Sequence, residues 1–567
     1  NWVVGPSKSA TGGALLANDP HLGIGMPSVW FINGLHCRKV SSACPYDVVG
    51  VSFPGVPAVV LGHNERIAWG ATNTDPDVQD LFIELADPQN PADYMFRGKS
   101  VPFVTRREEI KVAGAATDIL EVRETGHGPI LNSVDKRLKD SPLLALRWTA
   151  TAVTDGTLEA ILRLNTAGTF AEFQAALRGY GAPAQNFVYA DVDGHIGYQL
   201  PGWIPIRAGG DRGDRPVRGD DGKHEWEGRV PVAELPSQLD PRGAVIVTAN
   251  NAPVGAGYGY FLGAEWDPGY RAAQIMRLIG NRAADGLKMA DLRAIQLDTT
   301  VGRAALVIPK LAGVAPTTAD GRAVLDAIRS WNQSCDLDSR GCAAYLAFER
   351  RLVSGIYDDD LGPLARDYVD SGASWQATIH LLDQPNSPWW DDSTTTDVKE
   401  SERDIVARAL DAAGTELRAA LGAPDGWRWG ALHHATFREQ TFGEGGIPPL
   451  DWYFNKGPVE VPGAPGAVLQ TYYQPSRAYP DPQDPTYKPV GFDHVFDVTV
   501  LPSYRLTIDL SDLDGARIVQ TTGQSGNPFD GHYGDLIEAW RAGQSVALPF
   551  TKKAVDAAAA ATVTFQP

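Results

Sequence analysis

The hydrophobic period changes twice along this chain, and that change limits the folds open to it more than any other feature. Through about residue 150 the sequence reads as short strands, at 1–5, 14–18, 29–35, 47–52, 58–61, 81–86, 119–124 and 144–148. Gly, Pro and Asn punctuate these runs, which is the pattern of packed sheets joined by turns. The 59 Gly and 41 Pro among 567 residues exceed the usual share of about 12%, without a collagen period. Two helices follow. The second carries a capping-box signature, Thr169 with Glu172, ahead of an apolar stripe of Phe170, Phe173 and Leu177. Phe187 and Tyr189 then alternate into Asp193-Gly194, and Ile196 and Tyr198 alternate out, which predicts a hairpin. From about 269 to 422 the period is helical, most clearly where Val406, Leu410, Ala413, Leu417 and Leu421 recur within 398–421. In 473–489, Pro475, Pro480, Pro482, Pro485 and Pro489 remove amide donors and favour an extended surface loop. Strands resume at 494–501 and 504–510, before an Ala-rich tail at 555–563. Strands at both ends around a helical middle predict an α+β body whose two ends share sheets. Its sheet-rich core covers about 1–268 and 423–567, and a mostly helical insertion covers about 269–422. No shift in composition marks a flexible linker.

Length alone allows three to four domains of about 150 residues, or one very large one. A hydrophobic content of 43% with 21% charged residues excludes disorder, and no apolar run approaches the roughly 18 residues of a helical membrane span. Fifty Lys and Arg against 69 Asp and Glu give a net charge of −19, the wrong sign for a surface that tracks phosphates, so nucleic acid is excluded as a partner. The opening Asn1-Trp2-Val3-Val4-Gly5 has neither Met nor an export signal, as expected of a mature or cut end. Cys37/Cys44 and Cys335/Cys342 form two pairs with six residues between members. A loop that short can close a disulfide, and two small staples are expected; four buried free thiols are the alternative. Neither pair has zinc-knuckle spacing, and His36 beside Cys37 completes no ligand set.

Common catalytic motifs are missing. His224-Glu225 is followed by Trp226-Glu227-Gly228 with no second His, so a zinc hydrolase lacks support. Gly523-Gln524-Ser525-Gly526 has the wrong spacing for a nucleophile elbow, there is no P-loop, and Gly255-Ala256-Gly257-Tyr258-Gly259 lacks the dinucleotide fingerprint.

What does carry chemistry is a series of blocks. The start Asn1-Trp2-Val3-Val4-Gly5, followed by Leu15-Leu16-Ala17-Asn18-Asp19-Pro20-His21-Leu22-Gly23, resembles the β-chain of the penicillin acylase family of N-terminal nucleophile hydrolases. Seven further blocks follow in the family's order: Gly62-His63-Asn64, Trp69-Gly70-Ala71-Thr72-Asn73-Thr74, Asp77-Val78-Gln79-Asp80-Leu81, Tyr189-Ala190-Asp191, Ala249-Asn250-Asn251-Ala252-Pro253, Tyr270-Arg271-Ala272 and Gly523-Gln524-Ser525-Gly526-Asn527-Pro528. Each is weak alone; their order is specific. The resemblance implies a four-layer αββα sandwich, a non-covalent complex with a smaller α-subunit from the same precursor, and hydrolysis of N-acyl amides through an N-terminal serine in the periplasm or outside the cell. Family β-chains begin Ser-Asn and one more residue before the Trp, whereas Trp2 here follows Asn1 alone. The nucleophilic Ser and its Asn are thus expected ahead of Asn1, with no position in this sequence.

By the same resemblance, the backbone amide of Asn73 and the side-chain amide of Asn250 match the oxyanion-hole positions. A neutral amide suits that task, because it donates without a charge that must be desolvated. Taken alone, Asn250-Asn251 reads equally as a turn before Pro253, and Asn73 as a loop residue. His21 matches a residue that touches the N-terminal amine, against the alternative of a strand-end His. Arg271 matches a residue that holds the Asn250 region, against a surface salt bridge. Asp77, Gln79 and Asp80 match the family's calcium loop; two carboxylates and a carbonyl are hard ligands for structural Ca²⁺, which takes six to eight oxygens. The family's distant Asp ligand has Tyr260 or Phe261 as its counterpart, and a solvated acidic turn is the alternative. No organic cofactor is implied. The acyl-pocket positions read Leu22, Leu61, Ala71, Trp148 and Gln185, aliphatic at the first two where phenylacetyl-preferring members carry rings. That points to an aliphatic or differently shaped acyl group; all five also suit an ordinary core. Penicillins, acyl-homoserine lactones, lipopeptides and biosynthetic N-acyl intermediates all fit the chemistry.

Two rival functions remain at this stage. A glycoside hydrolase would use paired carboxylates, and Trp389-Trp390-Asp391-Asp392 mixes rings with acids, but nothing selects a pair. A calcium-stabilised binding protein of the same fold, its nucleophile lost, would follow from Asn1 as the true first residue.

Overall fold

The protein is described by a computed structural model covering residues 1–152, 154–484 and 486–565. Two antiparallel sheets face each other. The first has six strands in the order Val245–Val247, Trp2–Val4, Leu15–Asn18, Tyr504–Asp509, Asp512–Gln520, Val546–Ala547. The two ends of the chain meet in it, since Leu15 pairs with Asp509 and Asn18 with Leu506. The second has seven strands in the order Ser237–Leu239, Ile196–Gln199, Gln185–Asp191, Ile67–Asn73, Leu61–Asn64, Asp47–Ser52, Phe31–His36.

Side-chain alternation builds the layers. Along the first strands, Val3 and Leu16 point into the core between the sheets, together with Leu506, Ile508, Val49 and Val188. Their neighbours Trp2, Val4, Leu15 and Ala17 point the other way, onto Ile275, Leu278 and Ile279 of helix Tyr270–Arg282 and Leu292 and Ile295 of helix Met289–Gln296. A slip of one residue would exchange the two sets, so burial on both faces fixes the register. On the far side, helices Thr157–Leu164 and Phe170–Leu177 cover the second sheet, where Phe173 packs on Phe187 and Tyr189. The result is α+β in four layers, αββα. Helices Ala319–Arg329, Arg340–Leu361 and Glu402–Leu421 bury a separate apolar cluster that includes Val406, Leu410, Ala413 and Leu417. Ser401 and Asp404 form a capping box at the last of these helices. Two of the helices approach closely at glycines: a Cβ on Gly414 would lie 2.5 Å from the Asp320 carbonyl carbon. Gly414→Ala sets an overpacking cost of about 1–3 kcal/mol against roughly 1 kcal/mol of helix propensity. A net loss of about 1 kcal/mol is expected in urea unfolding.

Both cysteine pairs are bonded, Cys37 to Cys44 and Cys335 to Cys342. The hairpin turns at Asp193-Gly194 with Gly194 at φ +95°. Thr169 caps its helix by accepting from Glu172 N, but Glu172 reaches back to Gly168 N at 2.7 Å rather than to Thr169. Three segments depart from expectation. Residues 58–60 are not strand, because Asn165 takes both the Val59 N–H (2.9 Å) and the Val59 carbonyl (2.6 Å), and the strand begins at Leu61. Residues Phe492–Val495 form a helical turn whose Val495 and Phe496 are drawn into the helical core, so the strand starts at Val498. The proline-rich segment is not wholly a surface loop, since Pro475 and Tyr473 are buried; Pro485 lies outside the described residues. Among the described residues no helix is long and apolar enough to cross a membrane.

Candidate active site

The start of this sequence is buried beside the second sheet. Asn1 is buried at the head of Trp2–Val4. Its carbonyl accepts from Thr248 N (2.9 Å), and its Nδ2 donates to Thr72 Oγ1 (3.0 Å) and Thr248 Oγ1 (3.1 Å). Its Oδ1 accepts from Asn18 Nδ2 (3.3 Å). Gly70 makes this approach possible, since a Cβ there would sit 2.9 Å from both Asn1 Oδ1 and Asn18. The three segments gathered on Asn1 carry Asn73, Asn250 and the Asp19-Pro20-His21 run.

Beyond strand Val245–Val247 the chain turns, and Asn250 takes φ +63°, a left-handed conformation that Asn tolerates better than most residues. Arg271, buried in the first turn of its helix, donates from Nη2 to Asn250 Oδ1 (2.8 Å) and the Ala249 carbonyl (2.9 Å). Asp267 holds the guanidinium in turn, accepting from Nε (3.1 Å) and Nη2 (2.9 Å). A guanidinium only donates, so it fixes which end of the Asn250 amide is oxygen. The NH₂ end therefore faces Asn73, where it donates to the carbonyl at 2.9 Å. That uses one of its two hydrogens. Asn73 is itself clamped: its carbonyl also accepts from Asn186 Nδ2 (3.1 Å), its Oδ1 from Gln185 Nε2 (2.7 Å), and its Nδ2 donates to Asp75 (2.8 Å).

His21 and Asp19 line the other side of the chain start. Asp19 Oδ1 lies 3.7 Å from the Asn1 nitrogen. His21 Nδ1 faces Arg271 Nη1 at 3.4 Å and must act as acceptor, which leaves the imidazole neutral. Burial, and then Arg271, push its pKa well below the ordinary value. Burial raises the Asp19 carboxyl to about 6, opposed by Arg505 and Arg271 among others. Asp19 Oδ2 and His21 Nε2 are 4.0 Å apart, and neither has a hydrogen-bond partner among the described residues. Two buried orphans facing each other beside Asn1 form a polar cradle.

The residues matched to an acyl pocket are spread along the same strands. Ala71 and Asn73 pair with Phe187 and Gln185. Leu61 is buried between the sheets, whereas Ala71 shares the face of Phe187 and is buried toward the helices that cover the second sheet. Leu22 follows His21 and is partly exposed, and Trp148 ends strand Leu143–Trp148 opposite Gln79. The structure thus brings His21, Asn73, Gln185, Asn250 and Arg271 into one connected network. Leu61 and Trp148 reach it only through the sheets.

The acidic loop holds an internal cation. Arg207 donates from Nη2 to Asp77 Oδ1 (2.9 Å) and Asp80 Oδ1 (2.7 Å), and from Nε to Asp80 Oδ2 (2.8 Å). Trp226 Nε1 takes Asp80 Oδ2 at 2.6 Å. Gln79 is exposed, and the Tyr260 hydroxyl donates to Glu234. Among the described residues no group of three His, Cys, Asp or Glu is placed to hold a metal ion. The residues matched to a calcium loop do not fit calcium, because a guanidinium fills the space between the two carboxylates. The tryptophan–acid cluster is likewise engaged: Asp391 accepts from Glu400 N (3.0 Å), Asp392 from Thr394 N (3.1 Å), and Trp390 is buried.

Comparison with known proteins places the chain in a family. A family model described as penicillin amidase covers residues 1–557. The chain belongs to the penicillin amidase family. It is 32% identical to an acyl-homoserine lactone acylase, QuiP, of Pseudomonas aeruginosa, over 98% of this chain and 67% of that protein. It is 29% identical to penicillin acylase 2 proenzyme of Pseudomonas sp. (strain SE83), over 95% of this chain and 65% of that protein. It thus spans about two thirds of the length of these curated relatives. The solved structure of a thermostable penicillin G acylase from Alcaligenes faecalis superposes with a TM-score of 0.71 at 19% identity, covering 100% of this chain and 99% of that one, so the penicillin amidase fold is shared. Sequence reasoning gave no role to Asp19, although it stood within a matched block, and it missed Asp267 and Arg207, whose segments carry no motif.

Proposed function

We propose that this chain is the larger part of a periplasmic or secreted N-terminal serine amidohydrolase, which cleaves the amide between a largely apolar acyl group and a polar amine. The observation that carries this reading is the clamp by which Arg271 aims the Asn250 amide toward Asn73, beside the buried chain start. In this reading a serine ahead of Asn1 attacks the acyl carbonyl. Its own α-amine, with an unperturbed pKa near 8, serves as base directly or through a water. Asp19 and His21 supply the polar cradle beside the chain start, and His21, neutral, competes for no proton. The oxyanion of the tetrahedral intermediate is met by the Asn73 N–H and the second hydrogen of Asn250 Nδ2, fixed donors that need no reorganisation during the reaction. The amine leaves, an acyl-enzyme remains, and water releases the acid.

Leu22, Leu61, Ala71, Trp148 and Gln185 would bound the acyl group, with aliphatic side chains at the first two. Relatives named as acyl-homoserine lactone acylases make an aliphatic acyl-homoserine lactone the first substrate to try. Two disulfides favour an oxidising compartment. The third of the relatives' length that this chain does not span would supply the smaller α-subunit.

The test is intact mass and N-terminal sequencing of the purified protein, before and after a serine-directed sulfonyl fluoride, with turnover of aliphatic acyl-homoserine lactones and phenylacetyl amides measured alongside. The expected result is Ser-Asn ahead of Asn1, an adduct on that first residue, and faster cleavage of aliphatic substrates. A chain that starts at Asn1, takes no adduct and turns nothing over would make it a binding protein instead.

A further inference from the structure

We infer that Arg207 is a built-in cation that locks the Asp77–Asp80 turn, so that this chain holds the segment between Asn73 and Trp148 without calcium. Three observations carry the inference. First, the guanidinium meets both acids: Asp80 receives it through two nitrogens, and Asp77 receives it on Oδ1 (2.9 Å) and on its backbone carbonyl (3.2 Å). That carbonyl and those carboxylate oxygens are the hard donors a divalent ion would need. Second, the guanidinium and Asp80 are buried, with side-chain exposures of 2% and 4%, and Asp77 is 20% exposed at the edge. A second cation would have to displace a buried guanidinium bonded to both acids. Third, the surroundings are shaped to the guanidinium. A Cβ on Gly213, which sits at φ +74°, would lie 2.6 Å from Arg207 Nη2 and 2.4 Å from Asp80 Oδ1, so only glycine closes the loop over the pair. Trp226 closes another side, binding Asp80 through Nε1 while Arg147 stacks on its ring at 4.7 Å.

Position gives the lock its use. Asp80 pairs across the sheet with Arg147, and Gln79 with Trp148. Four residues after Asn73, Asp77 N donates to the Leu262 carbonyl (2.7 Å). A loosened turn would release Asn73 on one side and Trp148 on the other. Two acids drawn together by a bidentate guanidinium stay together only while that charge is present. Asp214 adds a further negative charge felt at Asp77, which makes a resident cation the more necessary.

The test reads stability, not turnover, and so stands apart from the proposed activity. Thermal unfolding of the purified wild-type protein is measured in EDTA and in millimolar CaCl₂; equal midpoints are expected. Terbium is added as a calcium probe, since Trp226 against Asp80 would sensitise its emission; wild type is expected to give no saturable signal. In Arg207→Ala the midpoint is expected to fall by about 5 °C or more, terbium emission to appear, and CaCl₂ to recover part of the loss. An EDTA-induced drop in the wild-type midpoint that calcium reverses would overturn the inference. So would saturable terbium emission from wild type that is lost in Asp80→Asn, which would place the ion at the Asp77–Asp80 turn. Should Arg207→Ala not fold, Arg207→Lys, which keeps the charge but not the fork, is measured instead, and the wild-type EDTA result alone still decides.

Discussion

Asn250→Gly is expected to lower kcat on an N-acyl amide by about 10²- to 10³-fold, equivalent to roughly 2.7–4 kcal/mol of lost transition-state stabilisation, with KM little changed. The amide it removes would bond the oxyanion, which exists only after attack, so the loss falls on the chemical step. Glycine is the informative replacement. Asn250 holds φ +63°, a conformation that costs alanine about 1 kcal/mol or more and glycine almost nothing. Asn250→Gly therefore deletes the donor without straining the turn, and an unchanged unfolding midpoint would separate catalysis from folding. Asn250→Ala should show the same fall in kcat plus a small loss of stability. Asn250→Asp is the harsher case, because it keeps the bond to Arg271 but replaces the donor with a negative charge beside the developing oxyanion. If Asn250→Gly retained wild-type kcat, the oxyanion reading of Asn250 would be wrong and the residue would serve the turn alone.

The contrast between Asn250 and Arg207 shows what sequence alone makes legible. Strand 47–52 is found with its true bounds because both its faces are apolar and Tyr46 and Phe53 flank it with turn residues nearby. The helix ending at Leu421 is found because a period of 3.6 over twenty residues has no other solution. Residues 58–60 and 494–497 are misread because distant groups settle them: the Asn165 side chain in one case, burial against the helical core in the other. The site divides in the same way. Asn73, Asn250 and Arg271 lie in ordered blocks that register against a family pattern. Arg207 lies 127 residues beyond Asp80 in a stretch with no motif. Two acids spaced three apart read as a metal loop as long as the cation that answers them is out of view. Spacing within a segment is written in the sequence, whereas a partner supplied by another layer is set only when the sheets stack.

Arg303→Met is expected to cost about 3–5 kcal/mol, a large part of the 5–15 kcal/mol that holds a typical domain together. Arg303 is among the largest fully buried side chains. Its Nε and Nη2 meet Glu349 Oε1 and Oε2 at 2.7 and 2.6 Å, and Nη1 donates to the Pro465 carbonyl. The Trp375 ring stacks 3.9 Å from the guanidinium, and the Tyr345 hydroxyl donates to Glu349 Oε1 at 3.0 Å. Arg303, at the start of helix Ala304–Val307, thus ties that segment to helix Arg340–Leu361 through the ion pair, to helix Gly372–Leu381 through Trp375 and to the loop at 465 through Pro465. Methionine fills the volume of the lost stem but leaves Glu349 charged and without its cation, and that uncompensated carboxylate is the source of the cost. The double variant Arg303→Met/Glu349→Leu separates the causes. If the unpaired charge dominates, removing it should restore most of the urea midpoint that the single variant loses. If the double variant stays as unstable as the single one, the bond to Pro465 and the stacking on Trp375 carry the stability, and the ion pair itself contributes little.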